Sequence, residues 1–371
     1  MMEYNITGLP KSIDQIAPYT PIEPYEVLSQ KLGFIPDQIT KMDANENPYG
    51  PSPKARQALA NLSFPHIYPD PESRALRQSL AEFTGVSVDG LVVGSGADEL
   101  LDLILRAYIQ PDDKVLICPP TFGMYSFLTN INSGRLYEVP RRQDFSLDLP
   151  ELIKTIEVEK PKILFLARPN NPDGGLPLPE ELYTLLDQPL LVVIDEAYIE
   201  FTSDGGRLGE NLSLIKEVQH RDNLVVLRTF SKWAGLEGLR IGYGAFPGWL
   251  ISALWKIKQP YNVNVAGTQA ALASLEDLDW LAENVALLRK ERTVVIQRLS
   301  TFPFLSPLPS ESNFVLCRVA GMLGGELKNR LAKKGVLVRH YASDSLADCI
   351  RVSVGRPQDT DRLISALMEV V

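Results

Sequence analysis

The sequence predicts an α/β fold in which a mainly parallel sheet lies between helices and a smaller α+β domain follows. Apolar runs of strand length alternate with amphipathic helical segments over about two hundred residues, which is typical of a parallel sheet covered on both faces. The pattern changes near residue 263, where long helical segments and short strands begin. The chain of 371 residues also exceeds the size at which one hydrophobic core keeps growing, so two domains are expected.

The N-terminal segment is predicted to be an arm, residues 1–40, with a short helix around "YEVLSQKLG". The larger domain is predicted to span 41–262 and begins with the turn-rich loop "DANENPYGPSP". Its strand and helix pairs are "GLVVGSG" with "ADELLDLILRAYI", "KVLICPP" with "TFGMYSFLTN", and "KILFLARPNNPDG" with "LPEELYTLLD", followed by the strands in "PLLVVIDEAY" and "NLVVLRTFSK". The smaller domain, 263–371, is expected to be completed by the N-terminal arm.

Composition and charge exclude several classes of protein. With 45% hydrophobic and 22% charged residues, the chain is typical of a globular protein, and its net charge of −9 argues against a nucleic-acid or acidic-membrane partner. The three cysteines, Cys118, Cys317 and Cys349, are far apart, which argues against a disulfide framework or a structural metal and favours a reducing compartment. No signal-peptide pattern and no membrane-length apolar run is present, so we expect a cytoplasmic protein.

Polar side chains stand where the predicted strands end, and ligands of such sheets bind at that edge. Asp98 lies in a glycine-rich turn that opens a helix, a favourable place for a phosphate, although Asp98 alone is equally well explained as a helix cap. Asp195 ends a buried apolar strand and therefore needs a partner. Asn171 lies in an Asn-Pro turn, and Phe122 offers a flat ring that core packing would also explain.

The segment "VLRTFSKWAGLEGLRIGYG" combines two cations with three glycines. Lys232 follows Ser231, and Arg240 comes eight positions later. Gly235, Gly238 and Gly242 are predicted to bring the backbone close to a bound phosphate. Pyridoxal phosphate requires a lysine, an acid at its ring nitrogen, a phosphate site and a stacking ring, and the strand ends offer all four. These residues favour pyridoxal 5'-phosphate as the cofactor, and they predict no metal site.

Motifs along nearly the whole chain resemble the fold-type I pyridoxal-phosphate aminotransferases, and within them the histidinol-phosphate aminotransferases of plant and cyanobacterial type. The matching motifs are "APYTPIEPYEVLS", "DANENPYGPSP", "FPHIYPDPES", "GADEL", "CPPTFGMY", "PNNPDG", "VVIDEAYIEF", "RTFSK", "GLRIGYGAFP", "KQPYNV", "VLVRHY" and "IRVSVG". Single motifs are shared across the superfamily, but the ordered set is specific. The resemblance implies a seven-stranded central sheet and transfer of an amino group from L-histidinol phosphate to 2-oxoglutarate in histidine biosynthesis.

The resemblance also implies roles for individual residues. Lys232 would hold the cofactor and shuttle a proton, Asp195 would keep the pyridine nitrogen protonated, and Asn171 and Tyr198 would hydrogen-bond the phenolic oxygen of the ring. Phe122 would stack on the ring. The phosphate would be bound by Ala97, Asp98, Ser231 and Arg240, and by Tyr68 from the neighbouring subunit, which implies a homodimer.

The small-molecule substrates are expected to contact a separate set of residues. Arg351 matches an arginine that binds carboxylate, and Arg339 matches a second cation for the substrate phosphate, assisted by Tyr19. Asn45, Tyr125 and Tyr261 complete the expected substrate contacts, although core packing explains the two tyrosines equally well. For either arginine alone, a surface ion pair remains the alternative.

Three positions depart from the pattern that the resemblance implies. Arg168 stands where a small residue is common, Phe122 replaces a tyrosine, and Glu237 replaces an alanine and is expected to pair with Arg240. An aromatic amino acid aminotransferase and the lyase threonine-phosphate decarboxylase remain alternative activities because they share the cofactor-binding residues. A binding protein without catalytic activity is the third alternative.

Overall fold

The computed structural model describes residue 8 and residues 23–370. The strands are β1 (Thr40–Met42), β2 (Leu91–Gly94), β3 (Lys114–Ile117), β4 (Arg135–Glu138), β5 (Ile163–Ala167), β6 (Leu191–Asp195), β7 (Leu224–Thr229), β8 (Gly242–Ala245), β9 (Leu305–Pro307), β10 (Phe314–Val319), β11 (Val336–Val338) and β12 (Cys349–Ser353). The α-helices are α1 (Tyr25–Leu32), α2 (Pro53–Ala60), α3 (Arg74–Thr84), α4 (Ala97–Tyr108), α5 (Met124–Ile131), α6 (Leu149–Glu159), α7 (Pro179–Leu186), α8 (Gly248–Ile257), α9 (Val265–Leu275), α10 (Leu278–Leu299), α11 (Gly324–Ala332) and α12 (Pro357–Val370).

A seven-stranded sheet forms the centre of the larger part, in the order β2-β8-β7-β6-β5-β3-β4. Only β8 runs antiparallel to its neighbours, and the other strand pairs are parallel. The register aligns Ala167 at the end of β5 with Asp195 at the end of β6. The mainly parallel sheet predicted from the sequence is confirmed, and its aligned strand ends gather polar side chains at one edge.

Helices cover both faces of this sheet, because successive side chains of a strand point to opposite faces. Leu164 and Val192 belong to a core cluster that contains Leu80 of α3, whereas Phe165 and Val193 belong to a second cluster that contains Leu101 of α4. The central strands are therefore apolar on both sides, which explains their continuous apolar sequences.

The smaller part contains the antiparallel sheet β12-β10-β9 and the parallel pair β1-β11. Thr40 pairs with Val336, so residues 40–42 join the smaller part. The packing does not change at residue 263, however. Helix α9 and the first half of α10 contribute to a core cluster of the central sheet, and only the last residues of α10, Val295 and Leu299, join the core of the smaller part.

Candidate active site

A cavity of about 390 Å³ lies where the ends of β5, β6 and β7 face the ends of β11 and β12. Twelve of the residues expected from the sequence line it: Asn45, Ala97, Asp98, Phe122, Asn171, Asp195, Tyr198, Ser231, Lys232, Arg240, Arg339 and Arg351. The parallel register brings the strand ends to this edge, and the polar side chains that follow them therefore share one space.

Lys232 reaches this cavity from the loop between β7 and β8. The neighbouring Trp233 is fully buried and donates its indole N–H to the carbonyl of Thr229, 2.9 Å away, which anchors the loop. The Lys232 amine donates to the carbonyl oxygen of Ala44 at 3.4 Å. Burial lowers the pKa of Lys232, so that more of the amine is unprotonated and able to act as a base or nucleophile.

Asp195 ends β6 with its carboxylate buried at the cavity. It accepts hydrogen bonds from the Tyr125 hydroxyl at 2.8 Å and from the backbone N–H of Ala197 at 3.1 Å. Burial raises the pKa of Asp195 to about 6, although both hydrogen bonds act in the opposite direction. Within residues 23–370 this carboxylate has no ion-pair partner, so a cationic ring nitrogen in the cavity would supply the missing charge.

The start of α4 and the loop after β7 form a site for an anion. Gly96 precedes the helix with φ +81°, and a Cβ there would lie only 2.5 Å from Nη2 of Arg240. The Arg240 guanidinium therefore lies directly against the helix start, where it also pairs with Asp98 at 3.1 Å. The Ser231 hydroxyl faces the same space beside Thr229, 3.0 Å away. Free helix N–H groups, two hydroxyls and a guanidinium match the needs of a phosphate.

Two of the glycines near Lys232 bring chain segments together. A Cβ at Gly235, where φ is +66°, would lie 2.5 Å from the Gly50 carbonyl, and one at Gly242 would lie 2.3 Å from the Ala97 nitrogen. Gly238 has nothing within 4 Å of its Cβ position. That the glycines bring backbone close to a bound phosphate stays a prediction, and Gly235 and Gly242 place neighbouring backbone around the site.

Tyr198, Asn171 and Phe122 lie along the sides of the cavity. The buried Tyr198 hydroxyl accepts from Nδ2 of Asn45 at 3.0 Å, and burial raises the pKa of Tyr198. Asn171 is oriented by Arg351, whose Nη1 donates to its Oδ1 at 2.7 Å. The Phe122 ring also lines the cavity. These positions suit hydrogen bonding to one edge of a planar ring and contact with its face.

Arg339 and Arg351 enter the cavity side by side from the smaller part. Their backbones exchange hydrogen bonds of 2.9 and 2.8 Å. Arg351 is held by the Tyr341 hydroxyl at 2.6 Å and by the carbonyl of Asp43 at 2.8 Å. The Arg339 guanidinium lies 5.6 Å from the centre of the Tyr341 ring. Two adjacent guanidinium groups can bind a dianion or a carboxylate.

Three tyrosines that were expected near cofactor or substrate, Tyr68, Tyr125 and Tyr261, do not line this cavity. Tyr125 is fully buried behind Asp195, which corrects its expected place in a substrate pocket. Tyr261 is exposed and stacks on the exposed Tyr68 with ring centres 4.7 Å apart, so it does not line the pocket of its own chain either. Tyr19 lies outside the described residues.

The departures at Arg168 and Glu237 also have defined partners. Arg168 is buried and pairs with the buried Glu196 at 3.4 Å, away from the cavity. The Glu237 carboxylate accepts from the backbone N–H of Asn47 at 2.7 Å. The expected pair between Glu237 and Arg240 is therefore wrong, since Arg240 reaches only the Glu237 carbonyl and pairs with Asp98.

Sequence reasoning missed Tyr341 and Thr229, which both line the cavity. Tyr341 lies two residues after Arg339, the spacing at which extended residues point to the same side, so strand alternation was a usable signal. Thr229 precedes the lysine loop by three positions, but its role depends on a hydroxyl contact with Ser231 that no sequence pattern reveals.

The residues of the cavity fit pyridoxal phosphate. The buried Asp195 carboxylate offers a place for a protonated pyridine nitrogen, Lys232 offers an amine for the aldehyde carbon, and the start of α4 with Arg240 offers a phosphate site. Within the described chain, no group of three metal-ligating side chains is found, and no helix combines the length and the apolar character needed to cross a bilayer.

Comparison with known proteins gives consistent results. Residues 37–367 match the family described as aminotransferase class I and II. Histidinol-phosphate aminotransferase 1, chloroplastic, from Arabidopsis thaliana is 50% identical over 356 residues, covering 96% of this chain and 84% of the relative. Histidinol-phosphate aminotransferase from Roseiflexus castenholzii is 46% identical over the full length of both proteins.

A solved structure gives the same result for the fold. The crystal structure of histidinol-phosphate aminotransferase from Sinorhizobium meliloti in complex with pyridoxal-5'-phosphate aligns with a TM-score of 0.88 and 28% sequence identity. The alignment covers 99% of this chain and 98% of that one. The similarity therefore includes both the central sheet and the smaller part.

Proposed function

The chain belongs to the class I and II aminotransferases, and we propose that it transfers the amino group of L-histidinol phosphate to 2-oxoglutarate. The products are imidazole-acetol phosphate and L-glutamate, and the step belongs to histidine biosynthesis. The enzyme uses pyridoxal 5'-phosphate. One observation carries the proposal for the site: Lys232, Asp195 and the adjacent Arg339 and Arg351 line a single cavity.

The bound cofactor supplies an electron sink for the bond-breaking at the substrate carbon that bears nitrogen. Asp195 supports this chemistry by holding a proton on the pyridine nitrogen, since its buried carboxylate needs a cation. The start of α4, Ser231 and Arg240 would hold the cofactor phosphate, and Asp195 and Lys232 would face the ring in the same cavity. Asn171 and Tyr198, which line the same cavity, would hydrogen-bond the phenolic oxygen of the cofactor.

Lys232 attaches the cofactor and moves the proton that the substrate loses. The Lys232 amine would act as the general base that takes the proton from the substrate carbon bearing the amino group, and as the acid that gives it back. Burial lowers the pKa of Lys232 and increases the unprotonated fraction that this role requires. The Ala44 carbonyl orients the amine at 3.4 Å.

The two arginines bind the anionic ends of both substrates in turn. Histidinol phosphate carries a phosphate and no α-carboxylate, whereas glutamate carries two carboxylates. Arg351 is fixed by Asn171, Tyr341 and Asp43, which suits a planar and well-oriented partner such as a carboxylate. Arg339 forms no ion pair with an acid within residues 23–370, and its guanidinium lies 5.6 Å from the centre of the Tyr341 ring, which suits a role in binding the substrate phosphate.

The experiment that tests this function is a spectral titration of the purified protein. We expect a visible absorbance band from the lysine-bound cofactor, its loss on addition of histidinol phosphate, and its return on addition of 2-oxoglutarate. The Lys232→Ala variant is expected to fold but to lack both the band and turnover. Release of carbon dioxide without 2-oxoglutarate would instead indicate a decarboxylase, and a higher kcat/KM for phenylalanine than for histidinol phosphate would indicate an aromatic aminotransferase.

Removal of the Arg339 side chain tests phosphate recognition. Loss of a charge-assisted hydrogen bond costs about 1.5–3 kcal/mol, which corresponds to a fall of about 10- to 100-fold in kcat/KM for histidinol phosphate. We expect Arg339→Ala to reduce the value for glutamate much less. Arg330→Ala, which removes an exposed arginine of α11, is the matched control. Equal losses for both substrates would exclude a phosphate-specific role for Arg339.

The proposal includes a homodimer in the cytoplasm. Tyr68 is 80% exposed and lies outside the cavity of its own chain, which supports the proposal that it reaches the cofactor phosphate of a second subunit. The cytoplasmic location is tested by cell fractionation. Recovery of the protein in an organelle or membrane fraction would contradict it.

A further inference from the structure

The segment Ala44–Asn47 lies directly over Lys232. At one end, the Ala44 carbonyl accepts from the Lys232 amine. At the other end, Nδ2 of Asn47 donates to the carbonyls of Lys232 and Trp233, each 3.1 Å away. The segment therefore contacts both the reactive nitrogen and the backbone of the same lysine.

Glu237 fastens this segment from the opposite side. It lies five positions after Lys232, in the short 3-10 turn Glu237–Leu239, and its carboxylate accepts from the Asn47 N–H at 2.7 Å. The chain that follows packs so closely on the lysine loop that a Cβ at Gly235 would meet the Gly50 carbonyl. Any displacement of the Glu237 contact would thus be transmitted to the contacts of Asn47 with Lys232.

Nearby acids raise the pKa of the Lys232 amine, and nearby arginines lower it. Burial lowers the pKa of Lys232 most, and among the charged groups Glu237 has the largest effect and raises it. Glu46 also raises it, but its carboxylate is held 2.6 Å from the Lys41 amine, whereas Arg351 and Arg240 lower it. Lys41 also lies 3.8 Å from Asp43, so Glu46 and Asp43 share one cation while Glu237 has no ion-pair partner within residues 23–370.

We propose that Glu237 is a positioning residue for the transamination reaction, which holds Ala44–Asn47 against Lys232 and places its negative charge beside the lysine loop. The inference rests on the proposed function, because it assumes that Lys232 binds the cofactor. The pKa of Glu237 is itself raised by burial, and the charge of Lys232 opposes that effect. The two groups therefore stabilise one another's charged forms across the segment.

Two variants separate the contact from the charge. Glu237→Gln keeps an oxygen that can accept from the Asn47 N–H but removes the charge, whereas Glu237→Ala removes both. Glu180→Gln, at an exposed acid in the first turn of α7, is the matched control. The readout is the pH midpoint at which the absorbance of the lysine-bound cofactor changes in the purified holoenzyme, which requires no turnover.

We expect the midpoint of Glu237→Gln to fall by about half a pH unit or more, because loss of a nearby negative charge makes the nitrogen release its proton more readily. Glu237→Ala is expected to shift equally and also to bind the cofactor less tightly, since the Asn47 contact is lost. An unchanged midpoint in Glu237→Gln would overturn the inference. Absence of any visible band in the wild type would instead refute the cofactor role of Lys232, so the two failures are distinguishable.

Discussion

Asp195 and Glu196 are neighbours in sequence with opposite surroundings. Asp195 faces the cavity, where its carboxylate accepts hydrogen bonds from the Tyr125 hydroxyl and the Ala197 N–H but has no ion-pair partner within residues 23–370. Glu196 faces away from the cavity. It forms an ion pair with Arg168 and accepts hydrogen bonds from the Ser213 hydroxyl and the Leu214 N–H. A buried carboxylate without a cation destabilises the fold in its charged form, so Asp195 retains unsatisfied electrostatic potential that a cationic ligand can use.

Asp195→Asn should therefore stabilise the apoenzyme while weakening cofactor binding. The pKa of Asp195 is about 6 in the fold against an ordinary 3.8, so the folded protein binds this proton more tightly than the unfolded chain. The resulting penalty on the free energy of unfolding is absent below pH 4, grows as pH rises, and is complete above pH 6, at about 3 kcal/mol. We expect the variant to gain about this amount at pH 8 and almost nothing at pH 4.

Urea denaturation of the two apoenzymes at both pH values measures this gain, and a pyridoxal phosphate titration of each measures affinity. We expect the asparagine variant to bind the cofactor at least tenfold more weakly at pH 8, because the ion pair with the ring nitrogen is lost. An apoenzyme that is equally stable with asparagine at pH 8 would contradict the penalty.

Sequence reasoning found the residues whose chemistry is unusual for their position. Lys232 among small residues and Asp195 at the end of an apolar strand are such cases, and both line the cavity. The position of Tyr125 behind Asp195 could not be predicted, because a tyrosine on a helix points into a pocket or away from it depending on how that helix is rotated. Glu237 was assigned to Arg240 by proximity in sequence, but the N–H of Asn47 is its partner in the fold.

At the scale of elements, the start of α4 illustrates how a glycine determines a binding site. Gly96 has φ +81°, which L side chains adopt at a cost, and the Arg240 guanidinium occupies the place of a side chain. Arg240 is itself left-handed at φ +55°. Both conformations direct the guanidinium to the helix N-terminus, where a dianion would otherwise meet only backbone N–H groups and the acid Asp98.

Gly96→Ala should weaken binding of the phosphate end of the cofactor. The new methyl group would lie 2.5 Å from Arg240 Nη2, so the guanidinium must move away from the helix start. We expect affinity for pyridoxal phosphate to fall about tenfold or more, and affinity for pyridoxal, which has no phosphate, to change little. Fluorescence titrations of the apoenzyme with both compounds measure this difference. Equal losses would show that the substitution disturbs the ring site instead, and Gly248→Ala, at a glycine of α8 with open space around its Cβ, is the control.

The elements themselves were largely predictable, because each strand of the central sheet is a short apolar run followed by an amphipathic helix. The change of core packing along α10 was not predictable. Its apolar side chains recur at helical spacing throughout, and nothing in that spacing shows that Val285 packs on the central sheet while Val295 packs on the smaller one. Packing of distant segments, such as Gly235 on Gly50, was hidden for the same reason.

At the scale of the whole molecule, several large aromatic and aliphatic side chains are exposed to solvent. Tyr68 is 80% exposed, Phe64 62% and Ile67 53%, and Tyr68 stacks on Tyr261, which is 45% exposed. Large apolar side chains clustered in this way are typical of a surface that binds another protein. A second copy of the chain would cover them, and the mass in solution would then be twice 41.2 kDa.

Mixing two inactive variants tests whether Tyr68 acts across such a dimer. In a hybrid of Tyr68→Ala and Lys232→Ala subunits, one site receives both defects and the other combines an intact lysine with an intact Tyr68. We expect turnover to recover to about a quarter of the wild-type value, since random pairing makes half of the dimers hybrids with one intact site each. Refolding the equimolar mixture and measuring kcat provides the result.

Activity in that mixture equal to the mean of the separate variants would show that Tyr68 serves its own chain or no site at all. Sedimentation of the wild type as a monomer would exclude the shared site directly.

The fold class was predictable because alternation of strands and helices leaves few arrangements. The dimer surface was inferred only from resemblance, since no single sequence property separates an exposed tyrosine from a buried one.

The segment of residues 40–47, which lies beside Lys232, is held in place by strands that come much later in the chain. β1 pairs with β11, the backbone N–H of Asn45 donates to the Ser353 hydroxyl, and Nη2 of Arg351 donates to the Asp43 carbonyl. A ribosome delivers residues 40–47 early, but the strands that fix them emerge last. A chain that lacks β11 and β12 would therefore lose the contacts that fix residues 40–47 beside Lys232, even if its central sheet were complete.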